Sequence, residues 1–462
     1  MSGDTFDVVV IGGGPAGTAT ALALRRHAPW LSVAVLERTD YERFRVGETL
    51  APGVEILLHN LGLHNVFPWE GAVEAFGTYA AWGSPDVHEN AFIYQTKGAG
   101  WHVDRRAFDA MLVREAISAG VEIFRSVSVD SLHRAEDGYW KITAGAAAGR
   151  GVSLRAAFIV DAGGRQACVA KWCGVEKIVV DRMVSVYGLF RCDAAAEYKS
   201  YTLVEACPDG WWYSSFLPDG WVIAAYMSDA DLLPREAMKH ADAWQALLQH
   251  APHTRNRLKS TALRQGPRVV SASTRRLDRV SGENWLAVGD AAWTIDPLSG
   301  QGIFNALKSG TYAAYAISDY LNGNATALPR YEAFCDQAFY SSLETRTVYY
   351  ALERRWSHMP FWARRRSLIT LDPDQIVCYN PEEERGELET SGTHLSRAHL
   401  AELRALCASP RPAHVIAATF KDLTAGIIPD RRIILALQEI AAPIEQRQLS
   451  AATPDEAMVR PA

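Results

Sequence analysis

The chain opens on a short β-rich run, Phe6-Asp7-Val8-Val9-Val10-Ile11. It lacks the strict alternation of a half-exposed strand, so it reads as a strand covered on both faces. Behind it the spacing turns helical from about Ala16 to His27, with Gly17, Ala21 and Leu24 on one side. Ser32 to Leu36 is a second β run, and it ends on Glu37. Ala157 to Val160 and Trp285 to Val288 repeat the pattern further on. Between them lie Val184 to Phe190, Tyr201 to Ala206, Trp211 to Leu217 and Trp221 to Met227. Cys207-Pro208-Asp209-Gly210 and Pro218-Asp219-Gly220 separate the last three, and Pro-Asp-Gly is strong turn chemistry, so an antiparallel meander is expected. A helical stripe then runs through Ile303, Ala306, Leu307, Gly310, Ala314, Ile317 and Leu321. Residues 329–369 read as helical and aromatic-rich, with further helices at about 395–407, 411–424 and 429–441 and a frayed last dozen residues.

The first strand runs directly into Gly12-Gly13-Gly14-Pro15-Ala16-Gly17, a G-x-G-x-x-G with a helix after it, a second strand, and an acid twenty residues beyond Gly17. Each part has a physical task. Gly12 permits the tight turn, Gly14 lets backbone approach a pyrophosphate, and Gly17 allows close helix–strand packing. The helix N-terminus, at Pro15 and Ala16, supplies unpaired N–H groups and a partial positive charge. Glu37 would accept from ribose hydroxyls, with Arg38 beside it. This is the pattern of a dinucleotide site.

The motif alone does not choose the dinucleotide. Gly289-Asp290 at the end of a strand, Asp296-Pro297-Leu298-Ser299-Gly300-Gln301-Gly302 with Ile303, Arg45-Val46-Gly47-Glu48, Trp101 to Asp109, and Asp161-Ala162-Gly163-Gly164-Arg165 together resemble the flavoprotein monooxygenase superfamily, in the branch it shares with tryptophan halogenases. The resemblance covers about residues 6 to 340. It implies an α/β fold: an FAD-binding Rossmann-like domain of the p-hydroxybenzoate hydroxylase type, an antiparallel β-sheet substrate domain and a mostly helical C-terminal region. The expected division is 1–175 and 271–328 for the FAD-binding domain, 176–270 for the substrate sheet and 329–462 for the helical region. It implies that Asp290 binds the flavin ribityl chain and that Pro297, Gly300, Gly302 and Ile303 lie beside the ring. It further implies that Arg45 and Arg106 approach the cofactor and that the Val129 backbone meets the adenine. Trp211, Trp212, Tyr213 and Phe216 are expected to line the substrate pocket.

Lys plus Arg number 47 against 53 acids, a net charge of −6, so there is no general attraction to nucleic acid or anionic lipid. The seven cysteines are scattered without a C-x-x-C, which signals neither a zinc site nor a redox pair, and no metal is expected. With no leader expected before the strand at Phe6 and no run of about 18 apolar residues, the expectation is a cytoplasmic protein.

In the halogenase branch a channel lysine relays halogen to the substrate. The matching stretch here, Phe76 to Gly83, has none, and the first lysine in the chain is Lys97. The W-x-W-x-I-P signature is also broken, reading Trp211-Trp212-Tyr213-Ser214-Ser215-Phe216-Leu217-Pro218. Within the branch the chain most resembles the flavoprotein monooxygenases of cysteine tryptophylquinone biogenesis, in quinohemoprotein amine dehydrogenase maturation. That resemblance implies hydroxylation of a tryptophan side chain in a small protein subunit, with O2 and with NADH or NADPH, or a separate flavin reductase, as electron source. The region beyond 329, with Arg354-Arg355, Arg364-Arg365-Arg366 and the run Glu382-Glu383-Glu384, would then help hold a protein substrate. Because the cofactor carries the hard chemistry, the protein has to handle protons, and Glu48 is the candidate; His102 is as readily a structural residue. The rival readings are a hydroxylase or halogenase of a free small aromatic, a lipid-saturating reductase, for which Gly47-Glu48 also speaks, and a non-enzymatic maturation scaffold.

Overall fold

The computed structural model describes residues 4–68, 71–94, 97–146, 151–192, 200–366, 371, 374–379 and 394–443. The acidic run at 382–384 and the last dozen residues lie outside these. The chain divides into two compact units, one of residues 1–176 and 182–366, the other of 177–181 and 367–462.

In the first unit the uninterrupted apolar runs become a parallel sheet. Trp285–Ala287, Val152–Asp161, Asp4–Ile11, Val33–Glu37 and Glu122–Arg125 lie side by side in that order. Val8, Val9 and Val10 are completely buried and all five positions of Val33–Glu37 are buried, as expected of strands covered on both faces. The helix Pro15–His27 crosses over from the first strand to the second. It packs on Gly302–Leu321, and Gly310 makes that approach possible: a Cβ there would sit 2.5 Å from the Ala16 carbonyl oxygen and 3.0 Å from Thr20 Oγ1.

A second sheet of seven strands runs Thr261–Ser271, Met183–Cys192, Trp221–Asp229, Gly210–Phe216, Tyr201–Cys207, Gly77–Ala81, His88–Ala91. Tyr201–Cys207, Gly210–Phe216 and Trp221–Asp229 form the expected antiparallel meander, with Met183–Cys192 antiparallel to Trp221–Asp229 and Thr261–Ser271 beyond it at the edge. The last two come from far earlier in the chain, and Gly77–Ala81 joins parallel to Tyr201–Cys207. Side chains alternate across this sheet. One face carries Tyr187, Leu189, Val204, Trp211, Ile223 and Met227 against Tyr350, Phe361 and Trp362. The other carries Phe190, Trp212, Val222 and Tyr226 against Trp244, Leu248 and Leu258.

The helix expected over 329–369 is interrupted. Ala327–Leu352 is one helix, Glu353 turns extended (φ −78°, ψ 108°), and a single turn follows at Pro360–Ala363. The break lets rings and charges seat on the sheet. Trp211 Nε1 donates to Tyr350 Oη at 2.9 Å, and Trp362 Nε1 donates to the Cys207 carbonyl at 2.9 Å. The basic cluster serves the same packing: Arg365 meets buried Asp229 at 2.5 Å, Arg364 bridges Asp229 and Asp231, and Arg355 grips buried Glu353.

The second unit has its own core of Val377, Leu403, Ile416, Phe420, Ile433 and Leu437. Its helices Arg397–Leu406, Ala413–Leu423 and Asp430–Ile440 fall where the periodicity placed them. A small sheet of Ile376–Tyr379 between Arg411–Pro412 and Ala441–Pro443 accompanies them, which the pattern did not reveal. All seven cysteines are free thiols. Among the described residues no helix is long and apolar enough to cross a membrane.

Candidate flavin site and substrate face

The glycine-rich turn has the geometry the motif asks for. Gly12 has φ +113°, a backbone region closed to most side chains, and a Cβ there would overlap the Ala162 carbonyl. A Cβ on Gly17 would overlap the Gly12 carbonyl. Gly14 differs: it is extended, and nothing lies within 4 Å of an added Cβ, so it borders open space. It is the N-cap of Pro15–His27 and offers no side-chain cap, so the first amides of the helix, at Ala16 and Gly17, face a place where an anion is stabilised. Buried Glu37 accepts from Gly13 N at 2.7 Å and from Thr39 N at 2.9 Å, which fixes the acid at the rim of the cradle. Exposed Arg38 follows it, and Ser126 N bonds the Thr39 carbonyl at 3.4 Å, which brings the strand of half-buried Val129 to the same rim.

The later segments converge here through helix packing. Gly289 has φ +55°, and a Cβ on it would lie 2.7 Å from Ala16 Cβ, so Asp290 is delivered beside the first helix. Its carboxylate is half-exposed and lies 3.6 Å from Arg165. Asp296 caps the turn at Pro297 by accepting from Leu298 N at 2.9 Å. Gly300 and Gly302 then border open space, and the helix Gly302–Leu321, which begins with Gly302 and Ile303, also lacks a side-chain cap. Two uncapped helix N-termini, an open glycine at each and a ribose-type acid fit a dinucleotide with a charged ring. FAD would be held by Gly12 to Gly17, Glu37, Asp290 and the loop 297–303, and when bound it supplies the redox chemistry.

The segment Arg45–Thr49, a strap, is pinned between this cradle and the second sheet. Arg45 donates to Thr39 Oγ1 at 2.7 Å and reaches Glu37 at 3.4 Å and Asp109 at 3.2 Å. Arg105 grips Asp109 with two bonds of 3.1 Å and donates to the Val46 carbonyl at 2.8 Å. Glu48 is buried (2 % exposed) and accepts from Gly47 N at 2.8 Å and from Tyr213 Oη at 2.7 Å. Arg106, the residue expected near the flavin, is instead held by Asp104 at 2.5 Å on the exposed side of its helix. There it lines a cleft of about 400 Å³ with Tyr41, Arg114 and Arg125. The buried arginine of the pair is Arg105, which the motif did not single out; its i,i+4 spacing to Asp109 was the available signal.

The four aromatics expected to line one pocket do not share a face. Strand alternation sends Trp211 and Tyr213 toward Phe44, Val46, Leu298 and Trp82. Trp212 and Phe216 point the other way: Trp212 packs 5.3 Å from both Tyr226 and Trp244, and the Arg257 guanidinium lies over Phe216 at 5.3 Å. Trp211 is completely buried, so Tyr213 is the partly accessible one on the face toward the strap. The strand Gly77–Ala81 ends at Trp82, whose indole donates to the Tyr349 carbonyl at 2.8 Å. His102, beside Thr49 in register, is wholly buried; burial, with the Arg257 charge adding to it, pushes its pKa down to about 4.

Residues 5–339 match the model of a family described as FAD binding domain. The chain is 27% identical over 80% of its length, and 99% of the relative's, to a putative FAD-dependent oxidoreductase, LodB, of Marinomonas mediterranea. Several flavin-dependent halogenases are among its other relatives. The fold is similar to that of the flavin-dependent halogenase CmlS, with a TM-score of 0.70 and 22% identity over 89% of this chain and 74% of that one. It is also similar to the peptidyl tryptophan dihydroxylase QhpG, with a TM-score of 0.61 and 24% identity over 94% of this chain and 99% of that one. A family match over most of the chain, falling on a cradle built for a flavin dinucleotide, places this protein in the FAD-binding-domain family of flavin-dependent oxidoreductases and halogenases.

Proposed function

We propose that the chain is an FAD-dependent monooxygenase that hydroxylates a tryptophan side chain in a small protein subunit during tryptophylquinone cofactor maturation. The observation that carries this reading is the lysine-free strand Gly77–Ala81 with its Trp82 terminus. No ammonium from it is available to relay a halogen, which favours direct oxygen transfer from O2. The likeness to a peptidyl tryptophan dihydroxylase supports a tryptophan held in a polypeptide as the acceptor. NADH, NADPH or a separate flavin reductase would supply the electrons.

The residues' work follows from their placement. Gly12 to Gly17 and the loop 297–303 bind and orient the cofactor. Phe44, Val46, Leu298 and the apolar face of the second sheet exclude water and accept an indole. Glu48, a buried carboxylate at the strap, takes up the proton released at the acceptor ring.

The recurrence of halogenases among the relatives favours a second reading, a halogenase or hydroxylase of a free small aromatic. The two separate in one assay with FAD-loaded protein, NADH or NADPH, and bromide. The acceptors are the tryptophan-bearing small subunit of a quinohemoprotein amine dehydrogenase and free tryptophan, both followed by mass spectrometry. Oxygen added to the subunit, with no bromine in either acceptor, is expected. Bromotryptophan with an unmodified subunit would establish the second reading instead.

A further inference from the structure

Beyond the carboxylate itself, the structure holds a directed chain of hydroxyls ending on it. Tyr213 Oη donates to Glu48 Oε1 at 2.7 Å and lies 2.7 Å from Thr49 Oγ1. A phenol has one proton. Since Tyr213 gives its proton to the carboxylate, the Thr49 hydroxyl must be the donor in the other contact. All O–H bonds in the chain therefore point the same way, from Thr49 through Tyr213 to Glu48. Its two ends differ in burial: Thr49 is partly accessible, whereas Glu48 is 2 % exposed. A buried carboxylate is thus connected to an accessible hydroxyl by short bonds, with no heavy atom that has to move.

We propose that Thr49, Tyr213 and Glu48 form a proton relay that delivers protons from the reaction space to the Glu48 carboxylate. A proton arriving on Thr49 Oγ1 forms a new O–H bond as the old one breaks toward Tyr213 Oη. The Tyr213 proton passes in the same step to Glu48 Oε1. The lone pairs stay on their oxygens, nothing is oxidised or reduced, and the carboxylate ends neutral. The reverse transfer returns the proton to the Thr49 end. Burial, and then the Glu48 charge, hold the phenol well above its ordinary pKa. Tyr213 therefore hands protons on rather than resting as tyrosinate. Titratable groups on elements packed about it include His102, on the strand paired with Thr49, Arg257, on the helix Pro252–Leu258, and Arg105, whose guanidinium bonds the Val46 carbonyl. The relay rests on the reading of Glu48 as proton acceptor.

The test uses the full chain loaded with FAD, photoreduced and mixed with aerated buffer that contains the tryptophan-bearing small subunit. Return of the oxidised flavin absorbance is followed against pH and against the deuterium fraction of the solvent. In wild type the dependence on deuterium fraction should be curved, as more than one proton moves in the same step. Tyr213→Phe and the isosteric Thr49→Val should each slow the return by about 10- to 100-fold, straighten that dependence and leave the FAD affinity unchanged. Infrared pH titration of the FAD-free protein should show one carboxyl band, absent in Glu48→Gln, that shifts in Tyr213→Phe. If Glu48→Gln matches wild type in rate and pH profile, Glu48 is not the acceptor. If Glu48→Gln is slow while Tyr213→Phe and Thr49→Val keep the wild-type profile and curvature, the relay alone is wrong and Tyr213 is only a tie between strap and sheet.

Discussion

At the scale of single residues, the glycines of the cradle separate folding from binding. Gly14 is extended and its added Cβ would meet nothing in the protein, so Gly14→Ala should leave the melting temperature of the FAD-free chain unchanged. The methyl would enter the space an incoming pyrophosphate takes, and FAD affinity should fall at least ~10-fold, or ~1.4 kcal/mol. Unchanged affinity in a fluorescence titration would remove Gly14 from the site. Gly17→Ala should behave oppositely, since its Cβ overlaps the Gly12 carbonyl, and should destabilise the chain by ~3 kcal/mol or more in urea. His102 makes a pH prediction. Its folded pKa of about 4 lies below the ordinary 6.5, so as pH falls the unfolded chain takes the proton first. Its contribution is complete above about 6.5 and is lost between 6.5 and 4, by up to ~3 kcal/mol. His102→Gln should flatten the stability–pH curve in that window, and an unchanged slope between pH 7 and 5 would contradict this. Glu48 was legible from its segment, but its partner Tyr213 was not. Trp211, Trp212, Tyr213 and Phe216 are contiguous enough to suggest one wall, and only the strand's alternation shows that Trp212 and Phe216 turn away.

At the scale of elements, the site is an agreement between two helix N-termini, and Gly310 sets their spacing. Gly310→Val would drive a side chain into the Ala16 carbonyl and Thr20 and part Pro15–His27 from Gly302–Leu321. A loss of ~2–3 kcal/mol in urea is expected, together with weaker FAD binding. Wild-type stability would show that the helices do not need this contact. The parallel strands were legible because strands buried on both faces read as unbroken Val and Ile runs. Gly77–Ala81 and His88–Ala91 were not, because their residues are mixed and the strand that anchors the pair to the sheet, Tyr201–Cys207 beside Gly77–Ala81, lies more than a hundred positions away. The partners of the basic clusters were illegible for a related reason. Arg355, Arg364 and Arg365 look like a docking surface in one dimension, while their acids Glu353, Asp229 and Asp231 come into reach only once the strand Trp221–Asp229 and the break after Leu352 are in place. The Arg45–Asp109–Arg105 network ties the strap to the dinucleotide rim in the same three-dimensional way.

At the scale of the whole molecule, the chain is a protein completed by FAD. Ligand that binds only the folded state adds RT ln(1 + [L]/Kd), so FAD at ~100 times its Kd should raise the unfolding free energy by ~2.7 kcal/mol. A melting temperature indifferent to FAD would contradict the reading of the cradle. The decisive measurement concerns what the loaded protein does with oxygen. FAD-loaded protein, NADH or NADPH, and the tryptophan-bearing subunit are incubated under isotopically labelled O2 in ordinary water, and the subunit's tryptophan peptides are weighed. The account predicts labelled oxygen on a tryptophan side chain, dependent on reduced flavin. Oxygen drawn from water, or a subunit bound tightly but left unmodified, would contradict it.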